Sequence, residues 1–226
     1  MSAVDHAVAV DQAVAVDQAV AVDHAVAVDQ AVAVVRGGGV VAYPTDTVWG
    51  LGGDARRPDV VARVRALKGR DRRPMLVLAD GLDRVRAWVR AVPAPLNRVL
   101  RARLAATVLL PASPAAPGAL VGEEGWIGVR CPGGWTGAVC ERLGVPLLST
   151  SANRSGQSAP TARERLADEI VAGVDLVVAG PEPSGTRPST LVRMDGGEIV
   201  VVRPGAVGAA ALEQVSGAAV RRLTAR

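Results

Sequence analysis

The sequence predicts a single α/β domain, built on a twisted mixed sheet with flanking helices. Short apolar segments typical of strands alternate along the chain with segments of helical character. The length of 226 residues suits one domain with an appendage, and 49% of the residues are hydrophobic, enough to bury a sizeable core. Polar loops follow several strands, and ligands of open α/β sheets bind where such loops converge. We therefore also expect a basic concave groove at one edge of the sheet.

The elements are predicted in the following order. Strands are expected at 40–43, 75–79, 107–110, 126–130, 146–150, 176–179, 190–193 and 199–203. Helices are expected at 58–66, 83–92, 94–104, 136–143 and 162–171, with Asp54 available to cap the first of them. The glycines Gly50, Gly52 and Gly53 are expected to turn the backbone close to a ligand.

The N-terminal tract, residues 5–34, consists of five copies of the hexad Asp-(His/Gln)-Ala-Val-Ala-Val. In a strand the valines would share one face, whereas in a helix they would spiral around the axis and form no stable stripe. We interpret residues 1–34 as a low-complexity extension whose last copies form a helix up to Gly37; a β-solenoid or adhesive segment is the alternative. The domain then spans 35–208, and 209–226 is an alanine-rich tail with one short helix. Removal of residues 1–34 is expected to leave activity intact.

Composition excludes several classes of site. The only histidines, His6 and His24, lie in the hexads, so the rest of the chain has no Ser-His-Asp triad. The two cysteines, Cys131 and Cys140, show no metal-ligand pattern and are expected to be core thiols in a reducing cytosol. A net charge of +4 suggests anionic partners, although an arginine-rich surface would give the same balance. The body contains no long apolar run of membrane type, so we expect a cytoplasmic protein with no membrane partner.

Four polar loops share one character. They are Thr-Asp-Thr at 45–47, Lys-Gly-Arg-Asp-Arg-Arg-Pro at 68–74, Ser-Thr-Ser-Ala-Asn-Arg-Ser-Gly at 149–156, and Pro-Ser-Thr at 188–190 with Arg-Pro-Gly at 203–205. Taken singly, hydroxyl-rich runs commonly make caps and turns, and a basic run is usually a solvated face. Guanidinium and ammonium groups nevertheless bind phosphate oxygens well, and no P-loop pattern is present to do so.

The combination is more specific than its parts. YPTDTVWGLGGDA, LKGRDRRPM, GVRCPG, STSANRSG, PSTLV and RPG, in that order, resemble the YrdC-like family of threonylcarbamoyladenylate synthases from about Gly37 to Gly205. The resemblance implies that L-threonine and bicarbonate form a carbamate, which attacks the α-phosphate of ATP and releases pyrophosphate. It also implies Mg²⁺ with the ATP, and a threonylcarbamoyl-transferase complex that delivers the product to tRNA next to the anticodon.

The resemblance also assigns roles to residues. It assigns threonine binding to Thr45, Thr47, Arg130, Ser149 and Ser189. It assigns ATP binding to Lys68, Arg70, Arg73, Ser151, Asn153 and Arg203. It makes Lys68, Arg70, Ser151 and Asn153 the catalytic group, and implies no metal held by the protein itself.

Two segments depart from the family pattern. Residues 102–107 keep only the threonine of the usual Trp-Pro-Gly-Pro-Leu-Thr run, and Gly133-Gly134 stands where a histidine is usual. Two alternatives therefore remain beside the synthase. One is a non-catalytic paralogue that binds tRNA or double-stranded RNA in the same groove. The other is a carbamoyl-adenylate-forming module that uses carbamoyl phosphate, although its larger proteins carry zinc-finger cysteines that this chain lacks.

Overall fold

The computed structural model describes residues 24–69 and 75–223, and within them ten strands form one mixed sheet. The strands are β1 (Val41–Tyr43), β2 (Gly50–Asp54), β3 (Leu76–Leu78), β4 (Ala106–Pro111), β5 (Trp126–Arg130), β6 (Leu147–Ser151), β7 (Leu176–Val177), β8 (Thr190–Asp195), β9 (Glu198–Arg203) and β10 (Val220–Arg222). Their order across the sheet is β10-β9-β8-β4-β5-β3-β6-β2-β1-β7. The pairs β3–β5, β4–β8, β1–β7 and β9–β10 are parallel and the others antiparallel, which confirms the predicted fold class.

Helices flank this sheet. They are α1 (residues 24–36), α2 (Pro58–Lys68), α3 (Ala94–Arg101), α4 (Gly134–Leu143), α5 (Asp168–Gly173) and α6 (Ala209–Ser216). The predicted helix at 83–92 is instead a 3₁₀ segment, Leu82–Trp88, because Val89 turns extended and pairs with Ala112. The predicted helix at 162–171 is split into a 3₁₀ segment, Arg163–Arg165, and α5, because Leu166 and Ala167 have extended backbone between them.

The glycine-rich segment after the first polar loop is a strand, so the prediction of a backbone turn there was wrong. Strand β2 is buried along its whole length between β1 and β6. A Cβ atom at Gly52 would collide with the carbonyl oxygen of Leu148 on β6. The missing side chains therefore allow close approach between neighbours rather than a change of direction.

The N-terminus of α2 also differs from its prediction. Arg57 is the N-cap residue and no side chain caps the helix. The carboxylate of Asp54 instead accepts hydrogen bonds from Arg56, from the backbone N–H at 2.9 Å and from the guanidinium at 2.7 Å. Asp54 therefore stabilises the turn between β2 and α2, and its proposed capping role was wrong.

The last hexads form helix α1, as predicted, and this helix is part of the core. Its buried residues share one face and are Ala27, Val28, Ala31, Val32 and Val35. They belong to a cluster that includes Val41 and Tyr43 of β1 and Leu143 of α4. The valines by themselves do spread around the helix, since Val26 is 50% exposed, but alanines and valines together supply apolar side chains at i, i+1, i+4, i+5 and i+8, a pattern that the prediction did not consider. The hexads before residue 24 lie outside the described residues.

The C-terminal segment is packed as well. Helix α6 confirms the predicted short helix, and its Leu212 and Ser216 are fully buried. Strand β10, which the sequence did not predict, pairs parallel to β9 and forms one edge of the sheet.

Both cysteines are buried free thiols, as expected. Burial raises the pKa of Cys131 to about 11 and that of Cys140 to about 12, so neither is an activated nucleophile. No helix in the described part of the chain has the length and apolar character needed to cross a membrane.

Candidate functional site

A cavity of about 700 Å³ lies against one face of the sheet. Residues at alternate positions on three neighbouring strands contribute to its wall: Leu76 and Leu78 on β3, Gly128 and Arg130 on β5, Ser149 and Ser151 on β6. The register pairs Leu76 with both Gly128 and Ser149, which brings these positions side by side. Because alternate residues of a strand point to the same face, the sheet itself forms the cavity wall.

Seven of the predicted site residues line this one cavity. They are Thr45, Thr47, Arg130, Ser149, Ser151, Ser189 and Arg203. They come from five separate stretches of sequence, so their convergence is a property of the fold. Arg70 and Arg73 lie outside the described residues.

The loop between β1 and β2 is held in shape by Thr45. Its hydroxyl donates to the carbonyl of Val48 at 2.6 Å and accepts from the backbone N–H groups of Thr47 at 3.1 Å and Val48 at 3.2 Å. A further hydrogen bond of 2.9 Å joins the hydroxyls of Thr45 and Thr47. The Thr45 side chain is therefore satisfied within its own loop and presents Thr47 to the cavity.

Arg130 is the central cation of the cavity wall. Its side chain is 4% exposed, and its guanidinium forms an ion pair with Asp46. One terminal nitrogen lies 3.5 Å from the hydroxyl of Thr47, and Nε has no partner in the described part of the chain. The guanidinium therefore has a donor that no described residue uses, and its role in binding a carboxylate stays a prediction.

Ser149 has one protein partner among the described residues. The hydroxyl of Tyr43 on β1 donates to the Ser149 oxygen at 2.7 Å. Burial is the largest influence on Tyr43 and raises its pKa well above the usual value. The phenol is therefore a neutral donor over the whole physiological range.

The opposite wall combines hydroxyls with a second arginine. Ser189 hydrogen-bonds Thr107 of β4 at 2.8 Å, and Arg203 at the end of β9 donates to the Ser189 carbonyl at 2.8 Å. Both hydroxyls and Arg203 line the cavity. The parallel pairing of β4 with β8 brings this wall together.

Lys68 and Asn153 stand behind the wall rather than in it. The ammonium of Lys68, the last residue of α2, donates to the Ser151 carbonyl at 2.6 Å and lies 3.5 Å from the Asn153 side-chain oxygen. The Asn153 amide donates to the carbonyls of Arg154 and Gln157 at 2.7 and 2.9 Å. In this structure these two residues shape the loop that carries Ser151, and neither contributes to the cavity lining.

Sequence reasoning missed several wall residues. Glu123 and Glu124 line the cavity, so its described charged groups are of both signs. Trp126, at the start of β5, also lines it and lies 5.8 Å below the Arg193 guanidinium. A Glu-Glu-Gly-Trp run before an apolar strand carries no ligand signal by itself, so only the fold identifies these residues.

The two segments that depart from the family pattern contact each other. Arg103, which has a left-handed backbone with φ of 52°, donates to the Pro132 carbonyl at 2.8 Å. They border a second, smaller cavity of about 220 Å³ that includes Arg103 and Cys131. Apart from Thr107, no residue of 102–107 or 131–134 lines the larger cavity, so the departures leave its described wall intact.

No group of three or more His, Cys, Asp or Glu residues in the described ranges is arranged to hold a metal ion. The carboxylates that line the larger cavity are those of Glu123 and Glu124, and their oxygens are of the type that binds hard metal ions.

Comparison with known proteins gives consistent results. The Sua5/YciO/YrdC family model, described as "Telomere recombination", matches residues 33–205. The threonylcarbamoyl-AMP synthase of Xanthomonas campestris pv. campestris (strain B100) is 37% identical over 166 residues, covering 69% of this chain and 86% of that protein. The crystal structure of P. abyssi Sua5 complexed with L-threonine has a TM-score of 0.77 at 25% identity, covering 86% of this chain and 58% of that one. E. coli YciO has a TM-score of 0.69 at 28% identity, covering 79% of this chain and 88% of that one.

Proposed function

Because the chain belongs to the Sua5/YciO/YrdC family, we propose that it is a threonylcarbamoyl-AMP synthase acting on L-threonine, bicarbonate and ATP. The observation that carries this proposal is the larger cavity, in which short hydroxyl side chains and two arginines from five stretches of sequence share one wall. A zwitterionic amino acid next to a nucleotide needs this mixture of polar groups.

The amino-acid end of the cavity lies around Thr47, Ser149 and Arg130. The guanidinium of Arg130 has unused donors and is shielded from water, so a carboxylate there would gain strong charge-assisted hydrogen bonds. Asp46 stays on its other side and keeps the guanidinium in place. In this proposal threonine lies with its carboxylate toward Arg130 and its amino group toward the centre of the cavity.

The chemistry requires no histidine. Threonine and bicarbonate give a carbamate, one oxygen of which attacks the α-phosphorus of ATP; the bond from that phosphorus to the bridging oxygen breaks and pyrophosphate leaves. Since the carbamate oxygen is already anionic, the protein's task is to align it and to balance phosphate charge. Arg203 supports the phosphate side from the cavity wall. Lys68 holds the Ser151 loop, and Arg70 and Arg73 remain sequence-based assignments to the phosphates.

Mg²⁺ is proposed to arrive with the ATP. It retains several waters and phosphate oxygens and needs few protein ligands, so a dedicated protein site is unnecessary. Glu123 and Glu124 offer the carboxylate oxygens that suit it. When bound, the ion would supply charge neutralisation on the phosphates.

The product is a mixed anhydride and needs an acceptor. We propose that a threonylcarbamoyl-transferase complex transfers the threonylcarbamoyl group to adenosine next to the anticodon of tRNA, in the cytoplasm. The relatives' names support a synthase of this kind, and the location and the transfer partner are inferences from it.

The test is direct product formation. The purified chain with ATP, Mg²⁺, L-threonine and bicarbonate should yield threonylcarbamoyl-AMP by mass spectrometry, with pyrophosphate released only when threonine and bicarbonate are both present. Arg130→Lys keeps the charge beside Asp46 but loses the planar fork, and should lower kcat/KM on the order of 100-fold. Arg36→Lys is the matched control, because it makes the same change at an exposed arginine that does not line the cavity and donates to the Arg142 carbonyl.

Two outcomes would contradict the proposal. Absence of the adenylate from folded protein would refute it, and RNA binding in that case would favour the non-catalytic alternative. Equal activity of Arg130→Lys and wild type would show that the cavity around Arg130 is not the amino-acid site.

A further inference from the structure

Tyr43 occupies an unusual position for a tyrosine. It is the only tyrosine of the chain and its residue is 1% exposed. It lies on β1, whereas its hydrogen-bond partner Ser149 lies on β6, and β2 runs between these two strands. Its ring crosses β2 at Gly50, where a Cβ atom would lie 3.0 Å from the ring carbon Cζ. A side chain at Gly50 would therefore displace the ring.

The direction of the Tyr43 hydrogen bond determines what Ser149 can do. The phenol donates to Ser149, so one lone pair of the serine oxygen is already engaged. The serine proton finds no acceptor in the described part of the chain, and Ser149 faces the cavity. Ser149 is therefore set up to donate to a ligand oxygen. Because burial keeps Tyr43 protonated, this polarity is stable with pH.

Thr47 is not fixed in the same way. Its hydroxyl lies 2.9 Å from that of Thr45, and either oxygen can be the donor, because the Thr45 oxygen also accepts from the backbone N–H groups of Thr47 and Val48. The Thr47 oxygen also lies 3.5 Å from a terminal nitrogen of Arg130. Ser149 is therefore the hydroxyl whose direction the described residues fix, and a ligand must bring an acceptor to it.

We propose that Tyr43 is a positioning residue that fixes Ser149 as a donor at the amino-acid end of the cavity. The proposal rests on the proposed function and deepens it. An anionic oxygen of threonine or of its carbamate accepts from Ser149. Because the direction of this donor is fixed, it favours one orientation of the amino acid, which Ser149 could not do if its proton were free to turn.

Kinetics of Tyr43→Phe test the proposal. The ring and its packing remain, but Ser149 loses the fixed direction of its proton. The KM for L-threonine should rise roughly 3- to 10-fold, as expected for one weakened hydrogen bond, with kcat changed less than about twofold. Ser149→Ala should raise KM at least as much, and Tyr43→Phe added to it should raise KM no further, because Tyr43 then has nothing to position.

A matched control removes another buried hydroxyl. Ser216 is the last residue of α6 and is fully buried, and its hydroxyl hydrogen-bonds the backbone of Ala218 just beyond the helix; Ser216→Ala removes this hydroxyl and leaves the carbonyl that Arg98 contacts. It should lower stability without changing KM. If Tyr43→Phe lowers stability without changing KM, as expected for Ser216→Ala, Tyr43 has a structural role only and the inference is overturned. The inference is also overturned if Tyr43→Phe raises the KM of the Ser149→Ala variant further.

A spectroscopic measurement is independent of turnover. Since the chain has a single tyrosine, the tyrosine doublet in ultraviolet resonance Raman spectra reports Tyr43 alone. Wild type should show a donor phenol, and Ser149→Ala should abolish that signature. A doublet that is unchanged in Ser149→Ala would overturn the inference.

The two proposals fail in different ways. If wild type makes no threonylcarbamoyl-AMP, the proposed function fails, and calorimetric binding of L-threonine to the same variants then decides on Tyr43. A 3- to 10-fold weaker Kd for Tyr43→Phe would retain its positioning role, and no threonine binding to wild type would end both.

Discussion

The hexad repeat allows one residue type to be compared in buried and exposed positions of the same helix. Val28 and Val32 of α1 are 6% and 4% exposed, whereas Val26, two residues before Val28, is 50% exposed. The perturbation is Val→Ala at each position. If α1 belongs to the core of the domain, the first two changes must destabilise the fold and the third must not.

The magnitude follows from the side chain removed. Val→Ala deletes two carbon atoms, which is about 1.6 kcal/mol at about 0.8 kcal/mol per buried CH₂. A small residual cavity brings the loss to about 2 kcal/mol. Alanine is the better helix former by about 0.5 kcal/mol, which offsets part of it. We expect Val28→Ala and Val32→Ala to lower the free energy of unfolding by about 1.5 kcal/mol each, and Val26→Ala to leave it unchanged or slightly raised.

Urea denaturation followed by circular dichroism measures these differences. Val28→Ala and Val32→Ala together should lower the free energy of unfolding by about 3 kcal/mol, the sum of the two single effects. A modest departure from this sum is expected because the two residues are i, i+4 neighbours. Truncation provides a second comparison: removal of residues 1–34 deletes most of the α1 interface, whereas removal of residues 1–23 retains every buried residue of the helix. Equal effects of the buried and exposed valines, or full stability after removal of 1–34, would refute the assignment of α1 to the core.

Three further changes test the site and its frame. Gly52→Ala should lower stability by about 3 kcal/mol or more, because its Cβ would overlap the neighbouring strand, while Gly118→Ala, which meets open space, should be nearly neutral in the same denaturation assay. Thr45→Val should reduce kcat/KM for threonine on the order of tenfold by releasing Thr47, and Thr45→Ser, which keeps the hydroxyl, should restore it. Burial raises the pKa of Tyr43 above its usual value of 10.0, so its contribution to stability is complete below about pH 10 and is lost as the pH rises beyond it. Stability of Tyr43→Phe should therefore fall less steeply with pH in this alkaline range. The prediction for Tyr43 is wrong if Tyr43→Phe has the same alkaline stability profile as wild type. The prediction for Gly52 is wrong if Gly52→Ala leaves stability unchanged, and that for Thr45 is wrong if Thr45→Ser does not restore kcat/KM.

Much of the fold could be predicted because it depends on local pattern. The strand predicted at 126–130 is β5, and the helix predicted at 136–143 lies within α4. In both segments the apolar period is regular and turn-forming glycines or prolines stand at the ends, so local preference and tertiary packing agree. The site residues that line the cavity were predicted from ordered motifs rather than from periodicity, and their convergence depends on strand register that no local pattern contains.

Where prediction failed, tertiary contacts overruled local preference. The hexads present no clear period, and α1 forms because β1 and α4 offer its Ala/Val face a partner. The edge strand β10 is short and carries Arg221 and Arg222, so only its pairing with β9 identifies it. The assignments of Lys68 and Asn153 to ATP stay predictions; in the structure both contact the loop around Ser151, a placement that depends on the geometry of that loop.

The glycines of β2 are related to the threonine loop, Thr45 and Thr47, that stands between two apolar segments just before this strand. The three glycines of this central strand let neighbouring groups approach closely: the ring of Tyr43 crosses at Gly50, and Gly53 leaves room for Val60 of α2, whose Cγ1 would lie 2.6 Å from an added Cβ. This closeness is what allows a residue on β1 to orient a hydroxyl on β6. The threonine loop before β2 then needs only short side chains to reach the same cavity. In this fold, therefore, the glycines of β2 and the orientation of Ser149 in the site are two consequences of one packing arrangement. A bulky residue at Gly50, which itself lines the cavity, should disturb ligand binding both directly and by moving the Tyr43 ring.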